Sequence, residues 1–179
     1  SIQCNENGYY SIYKSDRYGF NNIDKFWDAD KLDFLLIGDS IVEGYCVNYE
    51  DTISGVLKNY GGGNYNVINL GFGGNGTLLQ YAILKEYSTE INTKRIIWFF
   101  TESNDLIDLK YELQNPILKK YLNDEKFKQD NLNKVDFFDK ILIEEFNKQF
   151  VISNQGLNEN NQTSFIKNKI GKILKLPFT

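Results

Sequence analysis

The sequence predicts an α/β fold built on a parallel sheet, and two observations carry this prediction. First, short apolar runs alternate with segments of helical character in the first half of the chain, in the order strand, helix, strand, helix, strand. Second, the first run contains the uninterrupted apolar stretch 34–37, which is typical of a strand buried on both faces of a parallel sheet. The 179-residue length favours one domain, and 41% hydrophobic with 25% charged residues is typical of a folded globular chain.

Each element has a local signal. The apolar, β-branched and aromatic runs that predict the three strands are residues 32–37, 65–70 and 95–100. The first helix is expected to follow a cap at Asp51 or Thr52 and to end at the glycines 61–63. The second helix is expected over 78–87, behind an N-cap at Thr77.

The second half of the chain predicts helices. Residues 105–150 place Leu, Ile and Phe at helical spacing among charged residues, which indicates two or three amphipathic helices broken near Pro116 and near 131–133. The apolar triplet 150–152 is long enough for one more strand. Residues 155–164 predict a polar loop, and Ser164 is expected to cap a final cationic amphipathic helix. We expect this helix to pack on its own protein, and the alternative is that it lies on a membrane surface.

These elements predict a simple domain organisation. A lead-in, 1–30, is expected before a single α/β domain, 31–179. Within that domain, 31–108 form the core and 109–179 form a mainly helical insertion or cap. Three strands alone leave an unpaired edge after the third strand, so we expect an open sheet edge unless another element covers it.

Composition excludes several classes of function. The net charge of -4 and the absence of basic clusters disfavour nucleic acid as a partner. No apolar run approaches the roughly 18 residues of a membrane helix, and no secretory signal is visible, which leaves the compartment open. Two cysteines, Cys4 and Cys46, predict neither a disulfide scaffold nor a zinc ribbon. The chain has no histidine, and we expect neither a metal nor a cofactor.

An unusual polar sequence follows each of the three predicted strands. These sequences are residues 38–40, 71–76 and 101–105. Because parallel strands point their carboxyl ends to the same edge of a sheet, the three are expected to meet in one crevice, which is where ligands bind in open α/β sheets. The sequence therefore predicts a functional site at this edge.

Three residues in that crevice suit acyl chemistry. Ser40 is placed to act as a nucleophile. A developing oxyanion could accept hydrogen bonds from the backbone N–H groups of Ser40 and Gly74 and from the side-chain amide of Asn104. Each also has a plainer interpretation. Ser40 is a candidate N-cap, Gly74 a candidate turn residue with positive φ, and Asn104 a candidate turn residue.

The order and spacing of these blocks resemble a known family. Residues 36–40, 69–77 and 102–105 are similar to the first three sequence blocks of the SGNH (GDSL-type) hydrolases, and residues 18–22 and 44–47 resemble members linked to polysaccharide modification. The resemblance implies a flavodoxin-like three-layer α/β/α fold. It implies a serine esterase or acetyltransferase acting on acyl esters, including acylated carbohydrates.

The resemblance also assigns roles to the same residues. It implies Ser40 as nucleophile and oxyanion donor, Gly74 and Asn104 as the other oxyanion donors, and Asp39 and Asp105 as supporting residues. The chain departs from the family at Glu102, where a glycine is usual, and in lacking the Asp-x-x-His block. A carboxylate with an ordinary pKa of about 4 is a weak base for a serine, and four lie near the predicted crevice by sequence: Asp39, Glu43, Glu102 and Asp105. The expectation is that the missing block lies beyond Thr179 and that this chain alone is inactive.

Two other functions stay open. A non-catalytic module of the same fold would bind acyl or glycan groups without turnover, which the missing histidine favours. The spacing Gly71-x-Gly73-x-x-Gly76 also matches a dinucleotide fingerprint between a strand and a helix, with Glu102 as a candidate ribose ligand.

Overall fold

The computed structural model describes residues 3–4, 6, 8–62 and 64–154, which form two compact units divided between Lys128 and Gln129. The first unit contains a three-stranded sheet, and both strand pairings are parallel. In spatial order the strands are β2 (Val67–Asn69), β1 (Phe34–Ile37) and β3 (Ile96–Trp98). The predicted α/β fold with a parallel sheet is confirmed, although each strand is shorter than its apolar run.

Five helices surround this sheet in the described part of the first unit. They are α1 (Ser40–Glu43), α2 (Ile53–Asn59), α3 (Thr77–Tyr87), α4 (Asp105–Glu112) and α5 (Pro116–Asn123). The predicted cap at Thr52 is confirmed, since its hydroxyl accepts from the Gly55 N–H at 3.0 Å. Pro116 separates two helices as predicted, and it does so by starting α5, where its missing N–H costs nothing.

Helices cover both faces of the sheet. On one face, Leu36 and Val67 form a core cluster with Val42 of α1, and Leu57 of α2 packs against it. Side chains alternate along a strand, so Leu35 and Ile37 point to the opposite face, where both are fully buried. On that face Trp98 of β3 stacks on Tyr81 of α3. The sheet therefore has α1 and α2 on one face and α3 on the other.

The outer edge of β3 is open among the described residues. No described strand pairs with it, and its side chains Ile96 and Trp98 are 48% and 39% exposed. Phe100, which follows the strand, is also exposed. The open edge that the sequence predicts is thus present in this part of the chain.

The second unit contains one long helix, α6 (Val135–Asn154), after a short 3-10 turn, Asn131–Lys134. The break predicted near 131–133 is confirmed, and it follows Asp130, whose φ is +59°. The strand proposed for 150–152 is wrong because these residues continue α6. The predicted polar loop and last helix, after Gln155, lie outside the described residues.

Candidate active site

Ser40 stands where the sequence places it, directly after β1 and at the first position of α1. The N-cap of this helix is Asp39, whose Oδ1 accepts from the Ile41 N–H at 3.0 Å, so the alternative that Ser40 is the cap is wrong. The Ser40 hydroxyl is half-buried, and no described residue hydrogen-bonds to it. Its side chain is therefore not committed to holding the turn.

The Gly71–Gly76 loop brings a second group to the same place. Gly73 lies against Ser40, since a Cβ built on Gly73 would lie 3.6 Å from the Ser40 Cβ. Gly74 has a φ of +81°, which confirms the predicted left-handed turn residue. The backbone N–H groups of Gly74 and Ser40 donate to no acceptor among the described residues. Both are available to an incoming oxygen.

Asn104 reaches the site from the end of β3. Its side-chain Nδ2 donates to Asp39 Oδ2 at 2.9 Å, which links the third strand end to the first. This bond uses one hydrogen of the amide, and the other has no acceptor among the described residues. Asn104 also lies in a turn, as its plainer interpretation predicts, since its N–H donates to the Thr101 carbonyl at 3.3 Å, and its side chain makes no capping bond to α4.

Asp105, the next residue, is fully buried and holds the chain around Asn104 in place. Its Oδ2 accepts from the Thr101 N–H at 2.8 Å, and its Oδ1 accepts from Gln80 Nε2 at 3.0 Å. Gln80 in turn accepts from the Trp98 indole N–H at 2.6 Å. Asp105 therefore ties the segment that carries Asn104 to α3.

Glu43 fixes the glycine loop, a role that the sequence analysis missed. Its Oε2 accepts from the Gly73 N–H at 2.7 Å, and its Oε1 accepts from Gln3 Nε2 at 3.0 Å. The carboxylate is 7% exposed. The sequence offered Glu43 as one weak base among several carboxylates. No local signal marks it, because Gly73 lies 30 positions away.

Buried asparagines support the same loop from beneath. The Asn69 side chain donates to the Val42 carbonyl and accepts from the Gly71 N–H at 2.7 Å, so it joins α1 to the loop. Asn22 brackets Asn69 by accepting from its N–H at 2.8 Å and donating to its carbonyl at 2.9 Å. Gly71 needs to be glycine, because its Cβ would lie 2.5 Å from the Glu43 nitrogen.

Glu112 caps α3, which corrects the prediction that Thr77 does so. Thr77 is the first residue of the helix, and its hydroxyl has no described partner. The Glu112 carboxylate instead accepts from the N–H groups of Gly76, Leu78 and Leu79, at 2.7, 3.0 and 3.2 Å. A dinucleotide pyrophosphate would need these same amides. The glycine spacing therefore serves close packing of α4 on the loop.

Glu112→Ala is expected to destabilise the protein by about 2–3 kcal/mol, because three half-buried or buried amides lose their acceptor. Urea unfolding measures this change. Lys110→Ala, an exposed change on the same helix, is the matched control and is expected to fall within about 0.5 kcal/mol of the wild type. Equal stability of the two variants would contradict the capping role.

Three buried carboxyl groups respond to pH. Burial raises the pKa of Glu43 and of Glu112 above the ordinary 4.5, and that of Asp16 above 3.8, against opposing hydrogen bonds. A raised pKa means that the folded state binds more protons than the unfolded state. The stability these groups contribute is therefore fully present below their ordinary pKa and is lost as the pH rises through the raised value.

The free energy of unfolding is thus expected to fall as the pH rises from 4.5 towards neutrality. Glu112→Gln, which removes one of the three groups, is expected to show a shallower fall than the wild type. Urea titrations at several pH values measure both slopes. Parallel slopes would show that Glu112 does not titrate in this window.

Cys4 and Cys46 form a disulfide that the sequence analysis did not predict. Their Cα atoms lie 5.1 Å apart, and 42 positions separate them in the chain. Glu6 is the third member of a possible metal-binding group with these two cysteines, the one such group among the described residues. A disulfide leaves no thiolate to bind a metal, so the structure gives no metal centre in this part of the chain.

Comparisons with protein-family models, with curated proteins and with solved structures find no match to this chain. None of the described helices combines the length and apolar character that a membrane crossing requires. The site therefore has to be interpreted from its own geometry.

Proposed function

We propose that Ser40, Gly74 and Asn104 form the nucleophile and oxyanion-binding half of a serine esterase or acyltransferase site that acts on acyl esters, including those of acylated carbohydrates. The observation that carries the proposal is the availability of their groups. An uncommitted serine hydroxyl, two unpaired backbone N–H groups and a half-used side-chain amide stand at one edge of the sheet. Donors fixed in advance around a developing oxyanion are the main source of catalysis in acyl transfer.

The topology supports the finer fold that the resemblance implies. The order β2-β1-β3, with all strands parallel and helices on both faces, is the order in which a flavodoxin-like sheet begins. Ligands in such sheets bind beyond the carboxyl ends of the strands. We therefore propose the flavodoxin-like SGNH arrangement as the fold of this domain.

The chemistry needs a base for the Ser40 proton. The 179 residues contain no histidine. The carboxylates nearest to Ser40 in sequence already accept hydrogen bonds from other groups. Asp39 accepts from Ile41 and Asn104, and Glu43 accepts from Gly73 and Gln3. We therefore expect negligible esterase turnover from these 179 residues without an added base.

A second candidate function is a binding module of the same fold, which the missing histidine favours. Such a module would use the same three donors to hold the carbonyl oxygen of an acyl group without attacking it. The two candidates differ in one measurable respect. Only the esterase half-site forms a covalent bond between Ser40 and the acyl group.

Imidazole supplied in solution can test this difference by acting as the missing base. With 4-nitrophenyl acetate, imidazole takes the Ser40 proton as Oγ attacks the acetyl carbonyl, 4-nitrophenolate leaves, and the acetyl group stays on Ser40. We expect intact-protein and peptide mass spectrometry to find one acetyl group on Ser40. Ser15→Ala, at an exposed serine outside the site, is expected to leave this unchanged, and Ser40→Ala to abolish it.

A folded protein that shows no acetyl group on Ser40 would contradict the esterase proposal. If an O-acetylated sugar then still shifted the Gly74 amide resonance, the binding module would be supported instead. Acetylation spread equally over exposed serines and lysines would also contradict the esterase proposal, because the ester would then be reacting without the help of the oxyanion donors.

A further inference from the structure

The glycine loop is held from a distant part of the chain through the side chain of Gln3. Gln3 Nε2 donates to Glu43 Oε1 at 3.0 Å, and Gln3 Oε1 accepts from the Cys46 N–H at 3.0 Å. The amide therefore bridges the end of α1 and the turn that follows it. Its two polar atoms face opposite partners, so only one orientation of the amide satisfies both.

Glu43 passes this connection on to the loop. One carboxylate oxygen faces Gln3 and the other accepts from the Gly73 N–H, the residue that precedes the oxyanion donor Gly74. The side chain is 7% exposed, which makes each of these bonds costly to lose. Burial raises the pKa of Glu43, as expected of a carboxyl group withdrawn from water to serve this contact.

The Cys4–Cys46 disulfide holds the backbone next to Gln3. Cys4 follows Gln3 directly and is bonded to Cys46, the residue whose N–H binds the Gln3 side chain. The backbone around Gln3 is also paired, since Gln3 N–H donates to the Ser11 carbonyl and Ser11 N–H donates to the Cys4 carbonyl, each at 3.0 Å. Gln3 is thus held on both sides.

We propose that Gln3 and Glu43 are positioning residues that hold the Gly73–Gly74 turn against Ser40, with the Cys4–Cys46 disulfide keeping Gln3 in place. The effect on acyl chemistry rests on the proposed function, but the hold on the turn does not. Two weaker bonds also hold the turn, from the Asn75 N–H to the Phe72 carbonyl and from the Phe72 N–H to the Gly38 carbonyl, each at 3.3 Å. The Gly73 bond, at 2.7 Å, is the shortest of the three and ties the turn to the Glu43 side chain.

We call the hydrogen-bonded series Gln3–Glu43–Gly73 the relay. Exchanging the Gln3 and Glu43 side chains tests it without changing the net charge. Gln3→Glu alone sets two carboxylates against each other, and Glu43→Gln alone sets two amide donors against each other or against the Cys46 N–H. The double variant Gln3→Glu/Glu43→Gln restores a donor facing an acceptor between positions 3 and 43 and towards the Cys46 and Gly73 N–H groups. Gln114→Glu makes the same chemical change at an exposed position and is the matched control.

The readouts are the hydrogen-exchange rate of the Gly73 amide, the Gly74 amide resonance, and the rate of imidazole-assisted acetylation of Ser40. We expect each single variant to speed Gly73 exchange by about tenfold or more, to shift the Gly74 resonance and to slow acetylation. The double variant is expected to return all three towards the wild-type values. Cys4→Ser/Cys46→Ser is expected to speed Gly73 exchange as the single variants do.

Unchanged Gly73 and Gly74 signals in the single variants would overturn the relay, and so would a double variant no better than the singles. Single variants that move these signals but acetylate Ser40 at the wild-type rate would overturn its role in positioning the oxyanion donor. A wild-type protein that shows no acetylation at all would overturn the proposed function instead, while the Gly73 signals would still report on the relay.

Discussion

Asn104→Ala is expected to slow the imidazole-assisted acetylation of Ser40 by about 10²–10³-fold. The change removes the one side-chain donor of the three proposed for the oxyanion. It leaves the backbone N–H groups of Ser40 and Gly74 in the chain, and the Gly73 N–H keeps its bond to Glu43. The loss corresponds to roughly 2.7–4 kcal/mol of transition-state stabilisation, the range seen when one such donor is removed.

The rate is measured by following the acetylated fraction of the protein by mass spectrometry at fixed imidazole and ester concentrations. Ser15→Ala, at an exposed serine outside the site, is the control and is expected to react like the wild type. Asn104→Ala also leaves Asp39 Oδ2 without its partner, so unfolding is measured in parallel to exclude loss of the fold. A stable Asn104→Ala protein that reacts at the wild-type rate would remove Asn104 from the site.

Gly71→Ala is expected to destabilise the protein by about 3 kcal/mol or more. A Cβ at Gly71 would lie 2.5 Å from the Glu43 nitrogen and 2.7 Å from the Val42 carbonyl carbon, so α1 backbone would have to move. That backbone is fixed by the Asn69 side chain, which binds the Val42 carbonyl and the Gly71 N–H together. Because α1 begins at Ser40, relief of the clash would also displace this proposed nucleophile.

Gly62→Ala is the matched control for this prediction. Gly62 has a φ of +72°, but a Cβ there would meet no atom within 4 Å, so only its backbone conformation is penalised. We expect a cost of about 1 kcal/mol. Urea unfolding of both variants gives the comparison. A Gly71→Ala protein as stable as Gly62→Ala would mean that α1 does not pack as closely on the loop as described.

The sequence was sufficient for features that depend on neighbouring residues. The apolar runs located the three strands, the cap at Thr52 located α2, and polar residues after the strands lie together at one edge of the sheet. These predictions succeed because an apolar run and the Thr52 cap depend only on residues close in the chain. The meeting of the strand ends follows from parallel pairing, once the order of elements is known.

The sequence was insufficient wherever a distant partner decides the outcome. Thr77 is a typical N-cap residue, but the carboxylate of Glu112, 36 positions beyond Gly76, accepts the Gly76 N–H at the start of α3 instead. Glu43 looks like any acidic residue until the fold brings Gly73 and Gln3 to it. The apolar triplet 150–152 joins α6 because the helical spacing before it continues through it. In each case a tertiary contact or a longer element overrides a local preference.

The structure of the protein with Ser40 phosphonylated by a fluorophosphonate, prepared with imidazole as the base, tests the central claim most directly. The adduct carries a tetrahedral, anion-like oxygen at the place proposed for the oxyanion. We predict that this oxygen lies about 2.7–3.1 Å from the backbone nitrogens of Ser40 and Gly74 and from Asn104 Nδ2. An adduct whose oxygens face solvent, with the Gly74 N–H and the Asn104 amide turned away from them, would contradict it.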